Sequence, residues 1–456
     1  MPVVTRDIFG LRTSDPASQA LHETLVRGQS RQARLHIASF NGTLAGGLWS
    51  SRKTVIPELV NLIDQDENIY ETPLNGVGAD GSWEDFIRGG IGGWGTLRNV
   101  CHALKNIARN YRPGDRIILS GYSRGAWAAR YLALIISFIG LPKNGDEKLF
   151  HRIYKACSNK TIFNHGVVDK LLEGYECWDN VRINALCCFD TVGSLGLPLT
   201  GLARPLTIFR GKKRYDIVSD VAPNVDFAFH ALSLHELREP YYPTLMRGGN
   251  IFQVSFPGSH GNLGWMSDKE GLFHAPLAWM IQQLSTHVHI RFDEGKLARR
   301  FPSYYAEGGE PATGPEWFNG EIKTTNSVVL AVIGKKVRQP GRTNGANGST
   351  DLKVHIGARL RNDIDNNNAV PGYILMAPTV GPPYWARRLQ RSRWTWRTNS
   401  KDSNASSSTG SSASRRAARS GSPGVLLHAA DRIEEAPIGP LEARLLGLPQ
   451  SIATVV

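Results

Sequence analysis

The stretch from Arg116 to Gly140 has the sequence R-I-I-L-S-G-Y-S-R-G-A-W-A-A-R-Y-L-A-L-I-I-S-F-I-G. It begins with a short apolar run after Pro113-Gly114-Asp115, which is typical of a buried strand. The residues after Gly125 are rich in Ala and Leu and predict a buried helix. A Gly-x-Ser-x-Gly turn between a strand and a helix is the setting of a nucleophile elbow, so Ser123 is the candidate nucleophile.

The elbow also indicates which groups would stabilise a developing negative charge. The backbone N–H of Arg124 lies at the start of the predicted helix, where N–H groups and the helix dipole stabilise an oxyanion. The alternating segment 34–40 predicts the first strand, which leads into a turn containing Gly42 and Thr43. In hydrolases with a nucleophile elbow, a loop near the first strands supplies a second N–H group. Gly42 and Thr43 are therefore oxyanion candidates, and a plain strand-to-helix turn is the alternative.

Two further predicted strands end on residues that can assist a serine nucleophile. The apolar run 184–189 predicts a central strand and is followed by Asp190, for which a turn-capping role is the alternative. The segment 250–256 predicts another strand and leads into a Gly-rich turn that carries His260. Together with Ser123, these residues follow the chain order of α/β-hydrolases. We therefore predict a Ser-Asp-His triad at one edge of a sheet.

Composition excludes several classes of protein. The chain has 456 residues, of which 41% are hydrophobic, enough for one large α/β domain with extensions. Its five cysteines are odd in number and lack ligand spacing, so we expect no disulfide framework, no metal and no cofactor. The glycine-rich segment 89–95 lacks the Gly-Lys-Ser/Thr ending of a phosphate-binding loop. We find no signal-peptide pattern and no membrane-spanning run, so we expect a cytoplasmic protein.

The sequence predicts three regions. Residues 1–32 form a polar arm, and residues 33–380 form a catalytic domain with a mostly parallel sheet and helices on both faces. Short alternating segments between 327 and 376 predict a small β-rich appendage that closes this domain. The apolar segment 195–209 is either a lid or an irregular buried loop. Residues 381–456 form a Ser/Arg-rich tail that we expect to be disordered, apart from a short helix near its end.

The positive charge of the chain is concentrated in the tail. The formal net charge is +13, and nine basic residues against Asp402 lie between 379 and 424. Three tryptophans are interleaved with the first of these basic residues. Such a segment is consistent with peripheral contact with an anionic membrane, and at least as consistent with a solvated linker that has no partner. We do not expect nucleic acid as a partner.

Six blocks of the sequence occur in order between about residues 33 and 380. They are F-N-G-T at Phe40, G-G-I-G-G-W-G-T at Gly89, R-P-G-D-R-I-I-L-S-G-Y-S-R-G-A-W-A-A-R at Arg112, C-F-D-T-V-G at Cys188, F-H-A-L-S-L-H-E-L-R at Phe229 and F-P-G-S-H-G-N-L-G at Phe256. Together they resemble a known family, the catalytic domains of type VI secretion phospholipase effectors. The resemblance implies an α/β-hydrolase fold and a triad that cleaves phospholipid acyl esters. The triad carries over onto Ser123, Asp190 and His260.

Three residues depart from the pattern of that family. Asn41 and Asn262 stand where the family usually has Asp, and His235 replaces an acidic residue before Glu236. The loss of two carboxylates is expected to alter the charge of the site, and with it a cation site or the choice of substrate. We expect His230 and His235 to be bystanders in catalysis.

The sequence thus predicts a serine hydrolase that cleaves acyl esters through an acyl-enzyme intermediate, with phospholipids as the substrates implied by the resemblance. Two alternatives stay open. One is a soluble carboxylesterase or thioesterase that acts on small acyl groups. The other is a catalytically silent hydrolase fold that serves in binding.

Overall fold

The computed structural model describes residues 33–42, 53–76, 94–193, 218–266, 271–301, 316–322, 330, 334–336, 338, 352–364, 375–376, 433–448 and 453. Several predictions concern residues outside this set. They are those for the arm at 1–32, Thr43, the glycine-rich residues 89–93, the segment 195–209 and the tail from 381 to 432.

Eleven strands lie within the described residues. They are β1 (Leu35–Phe40), β2 (Ile69–Leu74), β3 (Arg116–Tyr122), β4 (Leu141–Pro142), β5 (Cys177–Trp178), β6 (Ile183–Phe189), β7 (Val225–Ser233), β8 (Ile251–Phe256), β9 (Leu352–Val354), β10 (Leu375–Met376) and β11 (Ile433–Glu434). Seven of them form one sheet in the order β2-β1-β3-β6-β7-β8-β9. All neighbouring strands in this sheet run parallel, so their carboxyl ends share one edge.

Helices cover both faces of the sheet. The described helices are α1 (Val55–Leu62), α2 (Trp94–Asn110), α3 (Arg124–Ile139), α4 (Glu147–Ser158), α5 (His165–Leu172), α6 (His260–Gly264), α7 (His274–Val288), α8 (Glu294–Arg300), α9 (Glu316–Asn319), α10 (Ile356–Ile364) and α11 (Pro440–Leu445). Alternate residues of β3 point to opposite faces, as the period of a strand requires. Ile118 joins an apolar cluster with α1 and α7, whereas Ile117 joins a second cluster with α2, α3 and α4.

The structure confirms the predicted fold class. The elbow strand and helix occur as β3 and α3, and the strands expected before Asp190 and His260 occur as β6 and β8. These strands could be predicted because they are buried on both faces and therefore form continuous apolar runs. The sheet also contains β7, a central strand that we did not predict, because its run of apolar residues is interrupted by Asp226 and His230.

The carboxyl-terminal region packs differently from the prediction. The segment Leu352–Val354 is the edge strand of the main sheet, rather than part of a separate appendage. Residues 433–448, which we assigned to the tail, belong to the apolar cluster under α7. The members of this segment in the cluster are Ala436, Ile438, Ala443, Leu445, Leu446 and Leu448. This carboxyl-terminal segment thus packs into the same core as the parallel sheet.

Among the described residues, no helix combines the length and the apolar character that crossing a bilayer requires.

Candidate active site

Ser123 lies in the sharp turn between β3 and α3. Its backbone has φ 60° and ψ −122°, a conformation that costs free energy for a residue with a side chain. Two glycines make the turn sterically possible. A Cβ atom on Gly121 would lie 2.4 Å from the carbonyl oxygen of Gly125, and one on Gly125 would lie 2.2 Å from the carbonyl oxygen of Phe40. The turn therefore places Ser123 at the carboxyl edge of the sheet, as the elbow motif predicts.

The structure brings the three predicted residues into one hydrogen-bonded chain. The Nε2 atom of His260 lies 2.8 Å from Oγ of Ser123, and its Nδ1 atom lies 2.6 Å from Oδ2 of Asp190. Since an ionised carboxylate only accepts hydrogen bonds, Nδ1 carries the proton and Nε2 accepts from the serine. All three residues are buried. This is the arrangement in which an imidazole can take a proton from a serine hydroxyl.

Asp190 is held by donors from three directions. Ser233 donates its backbone N–H to Oδ1 and its hydroxyl to Oδ2, both at 3.0 Å. The guanidinium of Arg338 donates to both carboxylate oxygens, at 2.9 Å for Oδ2. Burial by itself would raise the pKa of Asp190, but the charge of Arg338 and the hydrogen bond from His260 hold this pKa well below its usual range. The carboxylate therefore stays ionised.

Two tyrosine rings enclose the imidazole of His260. The ring of Tyr122 stacks on it and that of Tyr241 meets it edge-on, each with 4.9 Å between ring centroids. The Tyr122 hydroxyl donates to the backbone carbonyl of His260 at 2.9 Å, and the buried carboxylate of Glu236 accepts the His260 backbone N–H at 3.2 Å. The orientation of the imidazole is thus fixed by packing and by its own backbone.

The oxyanion candidates are only partly covered by the described residues. Arg124 is the first residue of α3, so its N–H group belongs to the helix terminus beside Ser123. Gly42 follows β1 and is packed so closely that a Cβ atom would lie 2.5 Å from Cδ1 of Tyr122. Thr43 lies outside the described residues. Arg124 thus follows Ser123 directly, and Gly42 packs against the residue before Ser123.

Comparison with known proteins identifies the family. The family model described as "T6SS, Phospholipase effector Tle1-like, catalytic domain" matches residues 37–283, which is more than half of the chain. The chain belongs to this family. The predicted resemblance is therefore confirmed, and the matched region contains Ser123, Asp190 and His260.

Individual relatives are distant from this Tle1-like chain. The uncharacterized protein YEL023C of Saccharomyces cerevisiae is 30% identical over 107 residues, which are 22% of this chain and 16% of that protein. The solved Tle1 effector bound to the VgrG spike is 16% identical, with coverage of 51% of each chain and a TM-score of 0.29. An uncharacterized Pseudomonas aeruginosa protein is also 16% identical, covering 55% of this chain and 44% of its own, with a TM-score of 0.30. A metagenomic carboxyl esterase is 10% identical over 54% of this chain and 69% of its own, with a TM-score of 0.25.

The residues that depart from the Tle1-like pattern have structural partners. The Asn262 amide oxygen accepts the backbone N–H and the hydroxyl of Ser259, and its Nδ2 donates to the carbonyl of Glu321 at 3.0 Å. An aspartate could not make the last bond, because an ionised carboxylate has no donor. Asn41 accepts a hydrogen bond of 2.5 Å from the hydroxyl of Thr54. Both amides therefore stabilise the turns that carry the site.

His230 and His235, which we expect to be bystanders in catalysis, contact the backbone of turns that carry the candidate triad. The Nε2 atom of His230 accepts the backbone N–H of Thr191, directly after the candidate acid, at 3.1 Å. Its Nδ1 therefore carries the proton and donates to Gln253 Oε1. Burial and the nearby charge of Arg130 lower the pKa of His230 to about 3. His235 accepts the N–H of Gly258 at 3.1 Å.

The sequence does not predict two of these contacts, that of Arg338 with Asp190 and that of His230 with Thr191. Arg338 falls between the alternating segments of the predicted appendage and lies outside the family match. His230 occurs within the F-H-A-L block at Phe229, so its position in a family block was the available signal. His230 is buried because Val225–Ser233 is a central strand of the sheet.

Proposed function

We propose that this Tle1-like chain is a serine hydrolase that cleaves acyl esters through Ser123, His260 and Asp190. The observation that supports this most strongly is the continuous hydrogen-bonded chain from the serine hydroxyl through the imidazole to an ionised carboxylate. The position of Ser123 in a strained elbow at the carboxyl edge of a parallel sheet supports the same chemistry.

In the proposed reaction, Oγ of Ser123 attacks the acyl carbonyl carbon while Nε2 of His260 takes the hydroxyl proton. Asp190 stabilises the imidazolium that forms. The N–H of Arg124, with that of Gly42 or Thr43, donates to the oxyanion. The tetrahedral intermediate collapses, the ester C–O bond breaks, and His260 gives its proton to the leaving alcohol. Water then attacks the acyl-serine by the same proton transfers, which releases the carboxylic acid and restores Ser123.

Phospholipid acyl esters are the proposed substrates. The support for this choice is membership of a family described as phospholipase effectors, rather than any contact of the described residues with a head group. Small acyl esters or thioesters would use the same proton transfers. The test must therefore separate the chemistry from the choice of substrate.

The first prediction tests the nucleophile. Ser123→Ala removes the atom that forms the acyl-enzyme, so ester hydrolysis should fall by at least about 10⁴-fold while the melting temperature is kept. A fluorophosphonate probe should label the wild-type protein and not the variant. Ser120→Ala is the matched control, because Ser120 is equally buried in β3 and its hydroxyl has no hydrogen bond among the described residues. Near-native activity of Ser123→Ala would refute the proposal.

A substrate panel then separates the alternatives. Turnover of phospholipid vesicles that exceeds turnover of short p-nitrophenyl esters and thioesters would support the phospholipase assignment. Activity confined to the short substrates would support a soluble carboxylesterase or thioesterase. A protein that binds lipid but is neither labelled nor active would be a silent hydrolase fold.

A further inference from the structure

Arg338 is a buried cation in direct contact with the candidate acid. One guanidinium nitrogen donates to Asp190 Oδ1 and to the carbonyl of Ser233, the latter at 2.9 Å. The other donates to Asp190 Oδ2 at 2.9 Å and to the carbonyl of Tyr241 at 2.5 Å. The residue is 6% exposed. The Arg338 side chain thus contacts the carboxylate of Asp190 and the backbone carbonyls of Ser233 and Tyr241.

The chain brings Arg338 to this place through a short backbone pairing. The N–H of Glu239 donates to the carbonyl of Gly334 at 3.0 Å, and the N–H of Lys336 donates to the carbonyl of Leu237 at 2.9 Å. This pairing anchors the segment two residues before Arg338. The contact spans 148 positions of the chain and comes from beyond residue 283, where the family match ends. Arg338 is therefore an addition from outside the matched catalytic region.

We propose that Arg338 is a positioning residue of the hydrolytic site. It fixes the Asp190 carboxylate and reduces the negative charge that this carboxylate presents to the imidazole of His260. This inference rests on the proposed hydrolase function. Arg338 acts on the reaction only through Asp190 and Tyr241, since its guanidinium contacts neither Ser123 nor Nε2 of His260 in any described hydrogen bond.

The charge of Arg338 has a consequence for pH dependence. Other charged or titratable groups facing the acid–imidazole pair are Tyr122 from β3, His230 from β7, and Glu236, Arg238 and Tyr241 from the segment after β7. Without Arg338, the full negative charge of Asp190 would act on the imidazole and favour its protonated form. Because a general base must be neutral to accept a proton, activity would then be lost at a higher pH on the acidic side.

The second prediction compares Arg338→Met and Arg338→Lys in the full chain, with kcat and KM for a soluble short-chain ester measured across pH. For Arg338→Met we expect kcat to fall by about 10- to 100-fold with little change in KM, because a positioning contact is lost. The acidic midpoint of kcat/KM should rise by about 1 pH unit. Arg338→Lys keeps the charge but loses the bidentate contact with Asp190. We therefore expect kcat to fall while the acidic midpoint of kcat/KM stays near that of the wild type.

Arg361→Met provides the matched control. Arg361 is a buried arginine that donates to the carbonyls of Phe318 and Gly320 at 2.9 and 2.8 Å, away from Asp190. This variant should lose stability without moving the acidic midpoint. If Arg338→Met does not fold, the same midpoint can be compared between Arg338→Lys and Arg338→Gln, together with the pH dependence of fluorophosphonate labelling.

The outcomes separate this inference from the proposed function. If Ser123→Ala is inactive and the charge-removing Arg338 variants keep the wild-type midpoint and kcat, the role of Arg338 is refuted while the hydrolase proposal stands. A lower kcat with an unchanged midpoint in every Arg338 variant would also refute it, because that result indicates only a structural contribution. If Ser123→Ala keeps its activity, the hydrolase proposal itself fails.

Discussion

At the scale of single residues, His260 is held by contacts with its imidazole ring and with its backbone. Tyr122 and Tyr241 pack against its ring, and Glu236 accepts its backbone N–H. These contacts lower the number of rotamers that His260 can adopt before substrate arrives. In the proposed reaction, a base that is already oriented loses less conformational entropy in the transition state, so this packing would favour proton transfer to His260.

His230 carries the third prediction, which concerns stability. Its pKa is lowered from 6.5 to about 3 in the folded protein, so between these values the unfolded chain binds a proton that the folded chain does not. The free energy of unfolding should therefore fall as the pH drops from 6.5 toward 3, by up to about 1.4 kcal/mol per pH unit from this residue. His230→Asn should flatten that dependence in urea unfolding at pH 7.5, 6 and 5.

Two further measurements make the His230 prediction specific. His230→Asn should be less stable than the wild type at pH 7.5, because its contacts with Thr191 and Gln253 are weakened. His102→Asn is the control, since His102 is exposed on α2 and should leave the pH dependence unchanged. An equal pH dependence in wild type and His230→Asn would contradict the interpretation.

The sequence predicted the triad but not the residues that support it, and the reason is physical. Ser123, Asp190 and His260 each follow a buried strand, and a parallel sheet gathers such positions at one edge. The described residues before Arg338 pair with Leu237 and Glu239 through two backbone hydrogen bonds, too short a pairing to leave a period in the sequence. His230 lies in a strand that the sequence did not reveal, so its contact with Thr191 could not be predicted.

At the scale of elements, the short helix α11 shows how the end of the chain is docked. The Oε1 atom of Gln282 on α7 accepts the N–H groups of Leu441 and Glu442, at 2.8 and 3.0 Å. The buried carboxylate of Glu442 lies 3.1 Å from Nε2 of His355, which follows β9. The helix thus satisfies its first N–H groups with a side chain of the domain. Its charged and Pro-containing sequence did not reveal this contact, because the partners are remote in the chain.

The fourth prediction tests whether this element belongs to the domain. Leu446→Ala removes a fully buried side chain from the cluster under α7, so the free energy of unfolding should fall by about 2–5 kcal/mol. Arg444→Ala is the matched control. Its side chain is 54% exposed and pairs with the exposed Glu294, so its loss should cost no more than about 0.5 kcal/mol. Equal stability of the two variants in urea unfolding would contradict the packing of this segment.

At the scale of the whole molecule, the basic segment lies between two parts of the domain that are packed together. β10 (Leu375–Met376) pairs with β11 (Ile433–Glu434), and the nine basic residues fall between these strands in the sequence. A truncation at residue 380 would therefore also remove β11 and α11. Any test of the basic charges must keep the chain intact through residue 448.

The last prediction concerns these charges. We propose that they bind an anionic membrane surface, where each basic residue contributes about 1 kcal/mol and tryptophan favours the head-group region. Replacing all nine residues with Gln should weaken binding to phosphatidylserine vesicles by more than about tenfold at low salt, and added salt should weaken the wild type toward the variant. Turnover of a soluble short-chain ester should be unchanged.

Replacing only the arginines of this set with Lys keeps the charge and should preserve binding. Equal vesicle binding by the Gln variant and the wild type would leave the segment as a linker. The residues changed are Arg387, Arg388, Arg391, Arg393, Arg397, Lys401, Arg415, Arg416 and Arg419.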